Sequence, residues 1–337
     1  MAGPLRCVAG PTYRPGEGWV DGWLLHDGGR VVRAGEGAPP QRSDVEGWLL
    51  PAPVNAHTHV GDRVARGVDV SGLTLAQVVA PPDGLKHRIL RETPAPRLVD
   101  GMRQALAEME AAGARACVDF REGGLRGVEM LREAAAGSGA RPVALGRCAG
   151  PFGEDEARRV LEACDGYGWS GLADAEGAER AAALCRRMGK RFALHFSEDK
   201  REDAGRALDL RPDFLVHAVR ATEDDLRAIA AARVPVVLCP RSNLRFGPLP
   251  DVRAMARLGV ALAVGSDNAM LQTLDVLEDV RTLRGRFPDV DPRVFLDAAV
   301  AGGRRILGAA DDDWVALDAD PLGGRPSRVV WRSWTKG

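Results

Sequence analysis

Aromatic side chains are scarce in this sequence. They make up 5% of its 337 residues, with two tyrosines in all. That scarcity excludes an extended stacking platform for single-stranded nucleic acid. Net charge is scarce too: 46 Lys and Arg side chains nearly cancel 47 Asp and Glu, leaving a formal charge of -1. Such a balance gives no electrostatic footprint for nucleic acid or an anionic membrane. Long apolar runs are missing, and nothing approaches the roughly 18 residues of a membrane span. The opening MAGPLRCVAG has no charged start leading into an apolar stretch, so the expected compartment is the cytoplasm. Six cysteines (Cys7, Cys117, Cys148, Cys164, Cys185 and Cys239) are scattered without a C-x-x-C pair. A disulfide framework is therefore not expected.

What is present is enough apolar material for a sizeable core, 45% of residues, with 28% charged for solubility. The length suits one large domain plus a smaller one. Residues 1–48 are short apolar pieces broken by Gly and Pro. In GWVDGWLLHDGGRVVRAGEG they read as small strands with a D-G-G turn. From residue 49 the text alternates between short apolar runs and amphipathic helices. The runs are WLLPAPVNAHTHV, ARACVDF, RPVALGRCA, GYGWSGLAD, RFALHFSE, DFLVHAV, VPVVLCP and VALAVGSD. The fourth is weakened by its glycines. A helix is predicted over about 94–113, with Thr93 as its N-cap. Eight strands, each followed by a helix, predict an α/β fold, a closed (β/α)8 TIM barrel over 49–309. An open doubly wound sheet is the alternative. From residue 310 strand-like text returns in DDDWVALDAD and SRVVWRSW. Residues 1–48 and 310–337 are expected to form one small β-sandwich domain built from both ends of the chain.

The polar residues fall at particular places in this pattern. His57 and His59 end the first run, and residues i and i+2 of a strand share a face. His195 ends the fifth run, His217 the sixth and Asp267 the eighth. All five sit at the C-terminal ends of their strands, where this fold carries its active site. A lone histidine after an apolar run is more often a satisfied core residue, but five such groups at strand ends form a set. Imidazoles with a carboxylate match a catalytic Zn2+ or Fe2+ site with one position open for water. The remaining histidines, His26 and His87, carry no such signal.

These residues resemble the amidohydrolase superfamily, whose first-strand H-x-H is seen here in PAPVNAHTHV. HFSE, with Glu198 three residues after His195, and CPRSNL at 239–244 are similar to its aminohydrolase branch. That branch includes the cytosine, guanine and S-adenosylhomocysteine deaminases and the chlorohydrolases. The resemblance implies one divalent metal, Zn2+ or Fe2+, bound by His57, His59, His195 and Asp267. The bridging lysine of binuclear members is missing from strand four, and Lys190 precedes strand five at the wrong end. The resemblance further implies that Asp267 accepts a proton from the bound water. His217 orients the attacking hydroxide, and Glu198 protonates a ring nitrogen of the substrate. Glu198 must then lie just past the strand end, since i+3 does not share a face with His195. The implied reaction is hydrolytic deamination of a small amino-substituted heterocycle, a nucleobase, nucleoside or related compound.

Glu122 after strand two and Arg147 at the end of strand three are candidate substrate contacts, or else solvated or structural charges. Arg241, Asn243 and Asn268 carry the same ambiguity. Dechlorination and cyclic-amide hydrolysis are alternatives on the same metal site, and a non-catalytic ligand-binding barrel is an alternative of another class. Similar enzymes are commonly dimers, so a homodimer is an admissible assembly.

Overall fold

The computed structural model describes residues 5–28, 30–308 and 313–334. Eight parallel strands form its centre. In chain order they are Val54–His59, Ala116–Arg121, Arg141–Gly146, Gly166–Trp169, Arg191–Phe196, Phe214–His217, Val236–Leu238 and Leu262–Val264. The eighth strand breaks at Gly265 and Ser266 and resumes as Asp267–Asn268. That second piece pairs with the first strand, Asp267 opposite Thr58 and Asn268 opposite His59, which closes the ring. Each strand pairs with its neighbours in sequence, as the (β/α)8 reading requires.

The glycines that weakened the fourth strand have a packing reason. A Cβ on Gly168 would lie 2.5 Å from the Phe120 ring, and one on Gly166 would lie 2.5 Å from the Arg191 carbonyl. Phe120 is buried inside the barrel and meets the His57 ring edge-on at 4.5 Å. The interior below the site is filled by small and branched residues such as Val54, Ala56, Val118, Ala193 and Val216. In the first strand the register shifts between Asn55 and Thr58. Such a shift bends a strand and re-aims its side chains. It takes the inward parity from Val54 and Ala56 to His57 and His59.

Strands from both ends of the chain pair in a seven-stranded sheet. Its order is Val329–Arg332, Trp314–Leu317, Trp48–Pro51, Arg6–Arg14, Gly18–His26 and Val31–Glu36, with Val45–Glu46 beside Arg6–Arg14. The barrel therefore does not begin at residue 49. Trp48–Pro51 lies between Arg6–Arg14 and Trp314–Leu317, and the first barrel strand starts at Val54, after Pro53. One apolar run thus serves two sheets. Of the DDDWVALDAD segment, the first two aspartates lie outside the described residues, as does Gly29 of the D-G-G turn. Tyr13 fastens the terminal sheet to the barrel. Its ring is fully buried and its hydroxyl donates to Asp297 Oδ1 at 2.7 Å.

Thr93 is not the N-cap of the following helix. That helix, Ala95–Ala111, has Pro94 at its N-cap and Pro96 in its first turn, where N–H groups lack partners in any case. Thr93 instead ends the helix before it, Leu85–Glu92, its hydroxyl donating to the Ile89 carbonyl. The six cysteines are all buried and free. No helix among the described residues is long and apolar enough to cross a membrane.

Candidate metal centre

Five side chains meet at the C-terminal mouth of the barrel. Ligand atoms of His57, His59 and His195 lie within 4.8 Å of one another, and so do those of His57, His217 and Asp267. His57 Nε2 is 3.2 Å from Asp267 Oδ1, and His59 Nε2 is 3.6 Å from the same oxygen. The rings of His195 and His217 stack at 5.3 Å. His57, His59, His217 and Asp267 are buried, and His195 is partly so.

Three of the four rings are oriented by a contact on the far side. His195 Nδ1 lies 2.9 Å from the Trp169 carbonyl, which fixes the proton there and leaves Nε2 as a lone-pair donor. His59 Nδ1 is 3.0 Å from Glu122 Oε1, a carboxylate–histidine pair of the kind that supports metal ligands. Asn243 Nδ2 is 3.1 Å from His217 Nδ1. Ser242 Oγ donates to Asp267 Oδ2, leaving Oδ1 facing the imidazoles. His57 is different, for neither of its buried ring nitrogens has a hydrogen-bond partner, in spite of the near approach of Asp267. An imidazole without a proton acceptor, facing two other imidazoles and a carboxylate, is a donor set that fits a cation.

The backbone is bent to reach this arrangement. His217, Ala218 and Asp267 have φ of 78°, 53° and 61°, in the region that L residues seldom adopt. Gly265 is required by close approach: a Cβ there would stand 2.7–2.8 Å from the His57 backbone. Asn55 and Ser266 bond each other across the same seam, at 2.8 and 3.0 Å.

Electrostatics sort the titratable groups by role. Burial lowers all four imidazoles, His59 to about 4 with the help of Lys86, so each is neutral and able to donate a lone pair at neutral pH. Burial alone would raise Asp267, but the facing His57, His217 and His59 outweigh it and hold the carboxylate well below its usual range. Glu198 moves the other way. Burial, reinforced by the charge of Asp267, pushes its carboxyl up to about 8. It stands past the end of the fifth strand, after Ser197 with φ 48°, and Oε1 lies 3.4 Å from His217 Nε2.

A cavity of about 350 Å3 lies over the centre, with His59, His195, His217 and Asp267 at its base and Glu198 and Arg147 in its wall. Arg147 Nη1 donates to Ser170 Oγ at 2.6 Å. Glu122 also borders the cavity, but both its oxygens are engaged, Oε1 by Lys86 and His59, and Oε2 by Arg121 at 2.9 Å. An adjoining apolar cavity of about 470 Å3, lined by Leu90, Leu98, Met102 and Met130, shares Pro81, His87, Glu122 and Arg147 with the first. His87, in which the sequence shows no chemistry, therefore borders both.

Arg241 points away from the cavity. Its guanidinium binds Asp279 at 2.8 and 2.9 Å and the carbonyls of Thr273 and Asp275. Asn268 Oδ1 accepts from the Met270 amide, bracing a turn, while the residue borders the cavity. Sequence reasoning missed the segment between residues 60 and 92, which supplies Asp62, Lys86 and the apolar rim at Leu75, Val79 and Pro81. The signals available were a Thr74–Gln77 capping pattern and the LKHRILRE helix text.

The model of the amidohydrolase family matches residues 48–312. A protein of Methanothermobacter thermautotrophicus that carries an aminohydrolase name is 37% identical over 255 residues. That match covers 69% of this chain and 66% of the relative's own length. A 5-methylthioadenosine/S-adenosylhomocysteine deaminase of Halobacterium salinarum is 27% identical, over 91% of this chain and 80% of that one. Among solved structures, a zinc-bound adenosine deaminase of Xanthomonas campestris superposes with a TM-score of 0.75 at 21% identity, covering 93% of this chain and 84% of that one.

Proposed function

The chain belongs to the amidohydrolase family, and from that membership and the geometry of the centre we propose that it is a metal-dependent aminohydrolase that removes ammonia from an amino-substituted heterocycle. The observation that carries the reading is Glu198. Burial and the charge of Asp267 push its carboxyl up to about 8 in the chain alone, favouring the protonated form, and it stands 3.4 Å from His217 at the rim of the centre. A general acid needs that state and position.

His57, His59, His195 and Asp267 would hold one divalent ion, Zn2+ or Fe2+. Its chemistry is to supply a water acidic enough to attack at neutral pH. The rest of the work falls to the chain. Glu122 and the Trp169 carbonyl fix the His59 and His195 rings. Asp267, ionised and tied by Ser242 at Oδ2, offers Oδ1 as ligand and as acceptor for the proton leaving the attacking water. His217, held by Asn243, orients that water with Nε2. Glu198 gives its proton to a ring nitrogen as the water oxygen bonds to the adjacent amino-bearing carbon. The tetrahedral carbon then loses its amino group as ammonia: Glu198 passes the carbon's hydroxyl proton to the amino nitrogen as the oxo group forms, and the water proton held by Asp267 restores the Glu198 carboxyl. The sum is amine plus water giving the oxo compound plus ammonia.

Arg147 stands in the shared wall of the two cavities, where a substituent on the heterocycle would pass. That supports it as a substrate contact, whereas the engaged carboxylate of Glu122 supports a role in holding His59. The test is a panel of purines, pyrimidines, pterins and their nucleosides, with a chlorinated ring beside them, offered to protein loaded separately with Zn2+ and Fe2+. Ammonia release supports the reading, and chloride release without ammonia moves the chemistry to dechlorination.

A further inference from the structure

Two buried charged residues beside the centre, Lys86 and Asp62, have no part in the steps above. Lys86, on the helix Leu85–Glu92, is 3% exposed. Its ammonium lies 3.0 Å from Asp62 Oδ2, 2.8 Å from Glu122 Oε1 and 3.4 Å from His59 Nδ1. Those three partners form a tight set of their own, their ligand atoms within 4.8 Å of one another. Asp62 is fully buried, and its second oxygen has no hydrogen-bond partner. Two carboxylates and an imidazole at this spacing, out of water, need a positive charge among them. Nitrogen–oxygen distances of 2.8 and 3.0 Å put the Lys86 ammonium at that place.

We propose that Lys86 is a positioning residue whose ammonium serves as a built-in cation of the His59–Asp62–Glu122 cluster. It pins Glu122 against His59 Nδ1, so that His59 presents Nε2 to the metal centre, and it occupies the space a second metal ion would take. The inference rests on the reading of His57, His59, His195 and Asp267 as the centre. It also gives a physical reason for a single ion that lies in strand one and the segment after it, away from strand four. A carboxylate behind a ligating imidazole typically changes metal affinity by about 10–100-fold. Lys86 acts on affinity through that carboxylate, so its loss is expected to be read in metal binding as well as in turnover.

The experiment is metal analysis of the full chain, as wild type, Lys86→Met and Lys86→Met/Asp62→Asn. Each is equilibrated with Zn2+, counted by mass spectrometry, then challenged with a chelator, and the Co2+ absorption spectrum is recorded. Wild type is expected to hold one ion per chain. Lys86→Met is expected to take up a second, weaker ion and to lose the first at least about 10-fold faster, with a changed Co2+ spectrum. The double variant is expected to return to one ion but keep the faster loss. If Lys86→Met fails to fold, the double variant, in which one facing carboxylate is neutralised, carries the release measurement, and an unchanged release rate there overturns the role. One ion in Lys86→Met, released at the wild-type rate, overturns it too. A wild-type chain that binds no ion overturns the four-residue centre itself, and the role of Lys86 with it.

Discussion

Asn243 Nδ2 lies 3.1 Å from His217 Nδ1, and the neighbouring Ser242 hydroxyl donates to Asp267. Two consecutive residues of one short helix, Pro240–Phe246, thus hold two groups of the centre that come from different strands. Removing the amide leaves the His217 ring free to turn and its buried Nδ1 without a partner. Asn243→Ala is expected to lower kcat by about 10–100-fold while the protein keeps its ion, as measured by ammonia release and metal analysis on the same sample.

As the proposed general acid, Glu198 is expected to set the alkaline side of the pH profile. In the proposed mechanism its proton is required, so activity is expected to fall as pH rises through its pKa. The buried carboxyl sits at about 8 in the chain alone, and the positive charge of a bound ion draws it lower. The alkaline limb of kcat is therefore expected at or below about pH 8. Glu198→Gln, which keeps the shape and loses the proton, is expected to reduce kcat by about 100- to 10,000-fold and to abolish that limb. A variant with the same limb as wild type assigns it to another group.

Arg241 is expected to matter for folding and not for turnover. Its guanidinium is the charge partner of the fully buried Asp279, which also accepts from Ser266. Arg241→Met would strand that carboxylate at a cost of about 3–5 kcal/mol, read by denaturant unfolding. Turnover per folded molecule is expected to stay close to wild type, since the side chain does not reach the cavity.

Gly265 tests the closure of the barrel. An added methyl group would press on the His57 backbone at 2.7–2.8 Å, where the eighth strand meets the first. Gly265→Ala is expected to destabilise the chain by about 1–3 kcal/mol and to weaken metal retention together with it, because the displaced backbone carries the proposed ligand His57. Lost stability with full metal retention would separate the seam from the centre.

The parts of this site legible in the sequence were those with a local signature. His57 and His59 share a face by strand parity, and His195, His217 and Asp267 mark the ends of apolar runs. Glu198 could be placed past its strand because i+3 does not fit the inward face. The positions of Asp62 and Lys86 were not legible, because the segment from 60 to 92 folds as a 3-10 turn and helices of five and eight residues. Helices that short hold through tertiary packing and leave little periodic signal. The strand Trp48–Pro51 read as barrel because its apolar run continues into Val54–His59, and only Pro53 marks the change of sheet. The roles of Ser242 and Asn243 depend on which strand ends lie beside them, which no local pattern states.

The most direct measurement is ammonia produced per molecule of heterocycle consumed, by chain loaded with one ion, beside His57→Ala. One ammonia per molecule from at least one amino-substituted compound is expected, with no release by His57→Ala. Protein holding one ion per chain that consumes no compound and releases no ammonia across purines, pyrimidines, pterins and their nucleosides would contradict the assignment.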